Sequence, residues 1–282
     1  HWALNCKPGE LQFRATTVTN LRKEFLLWAA ENSIENYDAV YFLDLDTSSC
    51  ADLIDNKKSV IIDHHASHVL AKDKYKNAKL NITETTSCAK LLYVHFKNEL
   101  SNITNEQKFL IALANDYDSY TLSIKDSYNL NCVYTNTQKT LEKTKVHKFL
   151  DRYYTGFNGF TQQEKNIIKE HVTARDAAIS SLNVFTGTVN ISKQPLTVTG
   201  TMGTKFVNEV CDHLIKTYSS DIVFFINTNN SHVSFRKKKD CNVNLSKLAE
   251  KLCEGGGHEY AAGGKLTETF MEFTKQLTPL EK

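Results

Sequence analysis

The sequence predicts an α/β protein with two domains. The first is an N-terminal parallel sheet with flanking helices, joined by a helical connector to a smaller α+β domain. Three observations lead there. The chain has 282 residues, about two domains at roughly 150 residues each. Residues 39–46 (AVYFLDLD) and Ser59–Asp63 (SVIID) are apolar on both faces and end in carboxylates, the pattern of strands buried in a parallel sheet. Of 11 glycines, none falls between Gly9 and Gly156 and five fall within residues 255–264. The first half is therefore a run of regular elements, and one glycine cluster needs its own account.

In chain order, residues 20–32 read as an amphipathic helix with Leu21, Phe25, Leu26 and Ala29 on one face. The two strands follow, with a single helical turn at residues 50–55 between them. Residues 85–98 and 105–115 read as helices, the second opened by Thr104 and Gln107 in a capping-box spacing and ended by Asp116 and Asp118. Residues 141–154 are another helix. The segment 154–160 (YTGFNGF) is the domain break and residues 161–181 form the connector. Residues 183–190 and 196–200 are strands, and 204–217 a helix. Residues 221–227 and 232–236 form a hairpin around Asn229-Asn230, and 245–253 is a helix running into the glycine cluster. The expected divisions are 1–155, 156–182 and 183–282.

Composition narrows the function. A hydrophobic fraction of 41% and a charged fraction of 23% are those of a globular protein. A net charge of +2 is too small for a general nucleic-acid coat. No apolar run approaches the ~18 residues that cross a membrane, and no signal peptide stands at the given start. Seven scattered cysteines without a C-x-x-C pair fit reduced thiols, and with them a cytoplasmic protein.

Three clusters carry chemistry. Asp63-His64-His65 closes one strand, and Asp44 and Asp46 close the one before it. Ligands bind beyond the carboxyl ends of parallel strands. Carboxylates mixed with imidazoles suit Mn2+, Fe2+ or Zn2+, and crowded carboxylates need a cation to offset them. Asn115-Asp116-Tyr117-Asp118 is the second cluster. Acidic groups at a helix C-terminus oppose its dipole, so something positive is expected near them. In the third, Gly255, Gly256, Gly257 and His258 continue into Ala261-Ala262-Gly263-Gly264. Backbone N–H groups without Cβ interference can turn to an anion, and His258 adds a donor. Ser234 and Arg236 on the preceding strand add a hydroxyl and a guanidinium. The run Lys237-Lys238-Lys239 reads as a solvated hairpin end that could extend a positive surface.

Together these clusters resemble the DHH/DHHA1 phosphoesterase family, which includes nanoRNase-like, oligoribonuclease-like and RecJ-like members. Asp63-His64-His65 matches the motif that names the family. Gly255-Gly256-Gly257-His258-x-x-Ala-Ala-Gly matches its C-terminal DHHA1 domain, and the likeness spans nearly the whole chain. The resemblance implies two divalent ions, Mn2+ first with Mg2+ or Co2+ as substitutes. Asp44 and Asp46 compete for the bridging ligand, with Asp44 preferred. His64 is the ligand of the motif and His65 stands nearer the phosphate, so Asp63, His64 and His65 form the catalytic set. Asp116 is preferred over Asp118 as the later ligand. Asn208 falls where family members often carry Asn. The family's first motif, His-x-x-x-Asp-x-Asp, is not found, and the reading is that residues 1–6 end the helix following it, with the motif upstream.

The implied function is a metal-dependent phosphodiesterase acting on short single-stranded RNA or DNA, or on linear dinucleotides, to give mononucleotides. Other readings are a RecJ-like single-strand exonuclease, a pAp phosphatase and, from another class, an inactive nucleotide-binding sensor. A homodimer is implied by the resemblance alone, and no membrane partner is expected.

Overall fold

The computed structural model describes residues 2–4, 11–138 and 144–280. It contains two units, His1–Ile168 and Lys169–Lys282, divided inside one long helix. His1, Asn5 and Cys6 of the expected helix end, and residues 141–143 of the expected helix at 141–154, lie outside the described residues. Trp2–Leu4 form a 3-10 turn.

The elements of the first unit are α1 (Val18–Ala29), β1 (Val40–Leu43), α2 (Ala51–Ile54), β2 (Ser59–Asp63), α3 (Ala66–Val69), β3 (Lys79–Ile82), α4 (Cys88–His95), α5 (Asn105–Asp118), α6 (Lys125–Asn136), α7 (Lys145–Tyr153) and the start of α8 (Gln162–Ser180). The three strands pair side by side in the order β1-β2-β3, both pairings parallel. All five residues of the central strand β2 are buried, and between Ser59 and Asp63 every side chain is apolar. Leu21, Phe42, Ile54, Ile61 and Ile82 pack on one face of this sheet; Val60, Ile62, Cys88 and Leu91 pack on the other. The expected capping box is present, with Thr104 and Gln107 bonding each other's backbone N–H at the start of α5. That helix runs three residues past its expected end, to Asp118.

Elements α3, β3 and α6 of this unit were not predicted. β3 reads KLNI, exposed at its first two positions and buried only at Ile82, so no continuous apolar run announces it. α6 buries Ser127, Leu130, Cys132 and Val133 in an otherwise polar sequence, too weak a stripe to stand out.

The second unit contains the end of α8, β4 (Val184–Ile191), β5 (Gln194–Gly203), α9 (Val207–Tyr218), β6 (Ile222–Asn227), β7 (His232–Lys237), α10 (Leu245–Cys253), β8 (Gly256–Gly257), β9 (Ala261–Lys265), α11 (Glu268–Thr274) and β10 (Thr278–Pro279). Its sheet runs β10-β4-β5-β6-β7-β9-β8, with β5–β6 the single parallel pair. One core joins Phe224 and Phe235 of the sheet to Phe270 of α11 and to the apolar face of α10. The Phe224 and Phe270 rings meet edge to face with centroids 5.1 Å apart. Truncating fully buried Phe270 to Ala would cost about 3–5 kcal/mol. A second core sets Val210, Cys211 and Leu214 of α9 against Val223 and Phe225. Alternate residues of β6 thus feed opposite cores, and the strand is apolar from Ile222 to Ile226.

Candidate functional site

β1 and β2 are parallel neighbours, so their carboxyl ends lie together at one sheet edge. Asp44 follows β1 directly. Its N–H donates to the Ile62 carbonyl at 3.0 Å, and its backbone is left-handed at φ +57°, a conformation non-glycine residues adopt at local cost. His64 follows β2, and its Nε2 lies 3.2 Å from Oδ1 of Asp44 and 3.5 Å from Oδ2 of Asp118. One ligand atom from each of Asp44, His64 and His65 can be chosen so that all lie within 4.8 Å of one another.

Both histidines are held from behind. His64 Nδ1–H donates to the Thr85 carbonyl at 3.1 Å, and His65 Nδ1–H donates to Oδ1 of Asp63 at 2.7 Å. In each ring Nδ1 is anchored from behind, the arrangement that orients metal-binding imidazoles. The hydrogen bond to Asp44 leads the effects that push His64 up to about 9, and the bond to Asp63 likewise raises His65. Burial and then the charge of Asp44 raise Asp118 above the ordinary carboxylate range. A half-buried carboxylate pressed by another is a group a cation would relieve. One carboxylate oxygen and two imidazole nitrogens, with a second carboxylate beside them, form a donor set that fits a divalent first-row ion.

Asp63 is wholly buried, and its second oxygen accepts the Nδ1–H of His68 at 2.7 Å. Burial alone would raise its pKa, yet His65 and His68 together hold it far below the usual carboxylate range. Asp63 is thus occupied in holding two imidazoles. His68, Tyr75 and Thr47, which complete this buried group, were not expected from sequence. The one available signal was the third histidine, placed three residues after His65.

Two expected ligands have other partners. Asp46 accepts from Ser48 N–H at 3.0 Å and from the Ser67 hydroxyl at 2.6 Å, which ties the loop after β1 to α3. Asp116, preferred above as the later ligand, is buried and accepts four bonds, from Ser123 N–H (3.0 Å), Ser123 Oγ (2.6 Å), Ile124 N–H (3.0 Å) and Ser127 Oγ (2.6 Å). Burial would raise its pKa, but these donors outweigh it and hold it at about 2. The side chain beside His64 is Asp118, not Asp116. Both lie in the last turn of α5, and the sequence alone did not say which would meet the histidine.

In the second unit, Ser234 and Arg236 alternate with the buried core residues Val233 and Phe235 on β7. Arg236 donates to Oδ1 of Asn208 at 2.6 Å and to the Phe235 carbonyl at 2.8 Å. The sheet register pairs Ser234 with Gly263 and Arg236 with Ala261, so small residues flank both polar side chains. Gly256 and Gly257, expected as an anion-binding loop, form the edge strand β8, paired with Gly263 and Ala262. The glycine at 255 answers a close approach, since a Cβ there would stand 2.0 Å from the Gly263 carbonyl oxygen. His258 follows β8 and donates its N–H to the Ala261 carbonyl at 2.8 Å.

Lys237 departs from its expected role. Its side chain is fully buried; Nζ donates to the Val243 carbonyl at 2.9 Å and to Glu259 at 2.8 Å, beneath the Tyr260 ring. It anchors the turn that carries His258 and is no part of a solvated surface.

Residues 196–279 match the DHHA1 domain family. Among solved structures, the chain is similar in fold to the pGpG-specific phosphodiesterase PggH of Vibrio cholerae, with a TM-score of 0.50 and 13% identity over 85% of this chain and 96% of that one. It is also similar to an exopolyphosphatase-related protein of Bacteroides fragilis, with a TM-score of 0.45 and 14% identity over 90% of this chain and 75% of that one. No curated protein matches the sequence. Among the described residues no helix is long and apolar enough to cross a membrane. Residues 196–279 are thus similar to a DHHA1 domain, and they follow a parallel-sheet unit that presents Asp63-His64-His65 at one sheet edge.

Proposed function

We propose that the protein is a metal-dependent phosphodiesterase that hydrolyses short oligonucleotides or linear dinucleotides to mononucleotides. The observation that carries this reading is the convergence of Asp44, His64 and His65 at one sheet edge, with Asp118 against His64. Asp44, His64 and Asp118 would hold a divalent ion, Mn2+ in the first instance, with His65 close enough to be a further ligand. When bound, such an ion supplies positive charge against the phosphoryl oxygens, where charge develops as the ester bond breaks.

The chain's own residues divide the remaining work. Thr85 fixes the His64 ring through Nδ1. Asp63 fixes the His65 ring, which then faces the ion and the phosphate in one orientation. In the DHHA1 domain, Arg236 is already oriented by Asn208 and suits a terminal phosphate, with Ser234 as a further donor. His258 and the small residues at positions 261 and 263 leave that phosphate room. In this reading the glycines at 255–257 shape the strand edge beside the phosphate and do not wrap it.

PggH is described as pGpG-specific, which makes this dinucleotide the first substrate to try. The test is a panel of di- to decanucleotides with pAp and linear and cyclic dinucleotides, each with Mn2+ and with chelator. Mononucleotide release from the shortest substrates, stopped by chelation, supports the proposal. Preference for long strands would favour the RecJ-like reading, and preference for pAp the phosphatase. Tight nucleotide binding without turnover would favour the sensor.

A further inference from the structure

Behind the Asp-His-His motif lies a buried chain of polar groups that the proposed chemistry does not use. Thr47 and His68 are fully buried and Tyr75 nearly so. They come from the loop after β1, from α3, and from the segment leading to β3. His68 Nδ1–H donates to Asp63. Nε2 of the same ring is then left to accept, and the Tyr75 hydroxyl lies 3.0 Å from it. The Thr47 hydroxyl lies 2.6 Å from the Tyr75 oxygen. One direction satisfies every member: Thr47 donates to Tyr75, Tyr75 to His68, His68 to Asp63. Burial pushes the Tyr75 phenol up to about 12, so it keeps the proton this direction requires.

The chain ends on the carboxylate that holds His65. Asp63 Oδ1 accepts from His65 and Oδ2 from His68, both at 2.7 Å. A carboxylate with one oxygen bonded can still rotate about its Cβ–Cγ axis; with both bonded it has one setting. A fully satisfied buried network rigidifies its members, whereas one missing partner leaves the others unpaired in a low dielectric.

We propose that His68, backed by Tyr75 and Thr47, is a positioning residue that fixes Asp63 and, through it, the ring of His65 at the metal and phosphate site. The proposal rests on the reading of that site given above.

The test uses the full chain and three variants. His68→Phe fills the space without hydrogen bonds. His68→Asn keeps an N–H close to the position of Nδ1. Tyr75→Phe removes only the hydroxyl. Metal-free protein is titrated with MnCl2 by calorimetry, and the low-field imidazole N–H proton of His65 is followed by NMR, assigned with His65→Gln. For folded His68→Phe, we expect the Mn2+ dissociation constant to rise roughly 10- to 100-fold, the range seen when the outer partners of metal-binding histidines are lost. The His65 proton should exchange away in the same variant. His68→Asn should restore both readouts, and Tyr75→Phe should give a smaller loss of the same kind. A purely structural role would move the melting temperature and leave the His65 proton in place. A folded His68→Phe protein that keeps wild-type Mn2+ affinity and the His65 signal overturns the proposal. Should that variant not fold, Tyr75→Phe decides by the same two readouts. If the wild type binds no Mn2+, the metal-site reading fails, and the His65 proton alone still decides whether His68 positions that ring.

Discussion

His64 Nε2 stands 3.2 Å from Oδ1 of Asp44, although the two residues end different strands. The parallel β1–β2 pairing makes this contact, and Asp118 approaches the same nitrogen from α5 at 3.5 Å. Asp44→Asn and Asp118→Asn should therefore each weaken Mn2+ binding, by about tenfold or more, while the protein stays folded. Calorimetric titration of metal-free protein checks this.

Asp116 should behave in the opposite way. Asp116→Ala removes the acceptor of four bonds from Ser123, Ile124 and Ser127, of which Ser127 is buried. The expected loss is on the order of 2–4 kcal/mol of stability, read as a lower urea midpoint. The fraction that stays folded should bind Mn2+ like the wild type.

This pair marks where the sequence stopped being legible. The strand SVIID, its terminal carboxylate and the histidines after it were readable, because a central parallel strand must be apolar until it reaches the sheet edge. Asp116 and Asp118 were distinguishable only by which side of the last α5 turn meets His64 and which meets the loop to α6. That depends on packing of α4, α5 and α6, and α6 itself was too polar to predict. His68, Tyr75 and Thr47 were hidden for another reason: three separate segments between residues 47 and 75 supply one network.

Glu164 gives a pH test in the first unit. It accepts from Arg152 at 2.9 and 3.0 Å, from the Tyr153 hydroxyl at 3.0 Å and from Thr161 N–H at 2.6 Å. Burial would raise its pKa, but Arg152 and the other donors hold it below the ordinary value. A carboxylate depressed by folding stabilises the protein above its unfolded pKa, ~4.3, and that stability is lost as pH falls through the folded value. Glu164→Gln should be less stable than wild type at pH 7, by about 1–3 kcal/mol. The gap should close below pH ~4 in urea titrations run across pH.

Lys237 tests the DHHA1 hairpin. Its ammonium joins the Val243 carbonyl, Glu259 and the Tyr260 ring, and it shows why a charge run read from sequence misleads. Neighbouring Lys238 is half-exposed, whereas Lys237 alternates into the interior with Val233 and Phe235. Lys237→Met keeps the apolar stem and removes the anchor. Amide exchange at Gly257, His258 and Glu259 should quicken, with β1–β3 amides unchanged. Equal protection of the turn in the variant would show that Lys237 does not hold it.

The glycine cluster was legible as a marker of the domain, and less so as a mechanism. Close packing of β8 on β9 demands glycine at position 255 whatever is bound, as the 2.0 Å approach of the Gly263 carbonyl shows. Composition could not separate that need from anion binding.

The central claim is that Asp44, His64 and Asp118 form a divalent-metal centre that hydrolyses phosphodiesters. Its most direct test is hydrolysis of pGpG by the wild type and by His64→Ala, each stripped with chelator and then titrated with Mn2+. The account predicts no turnover without metal, saturable recovery with Mn2+ in the wild type, and none in His64→Ala at the same concentrations. Undiminished hydrolysis by the stripped wild type, or full recovery in His64→Ala, would contradict it.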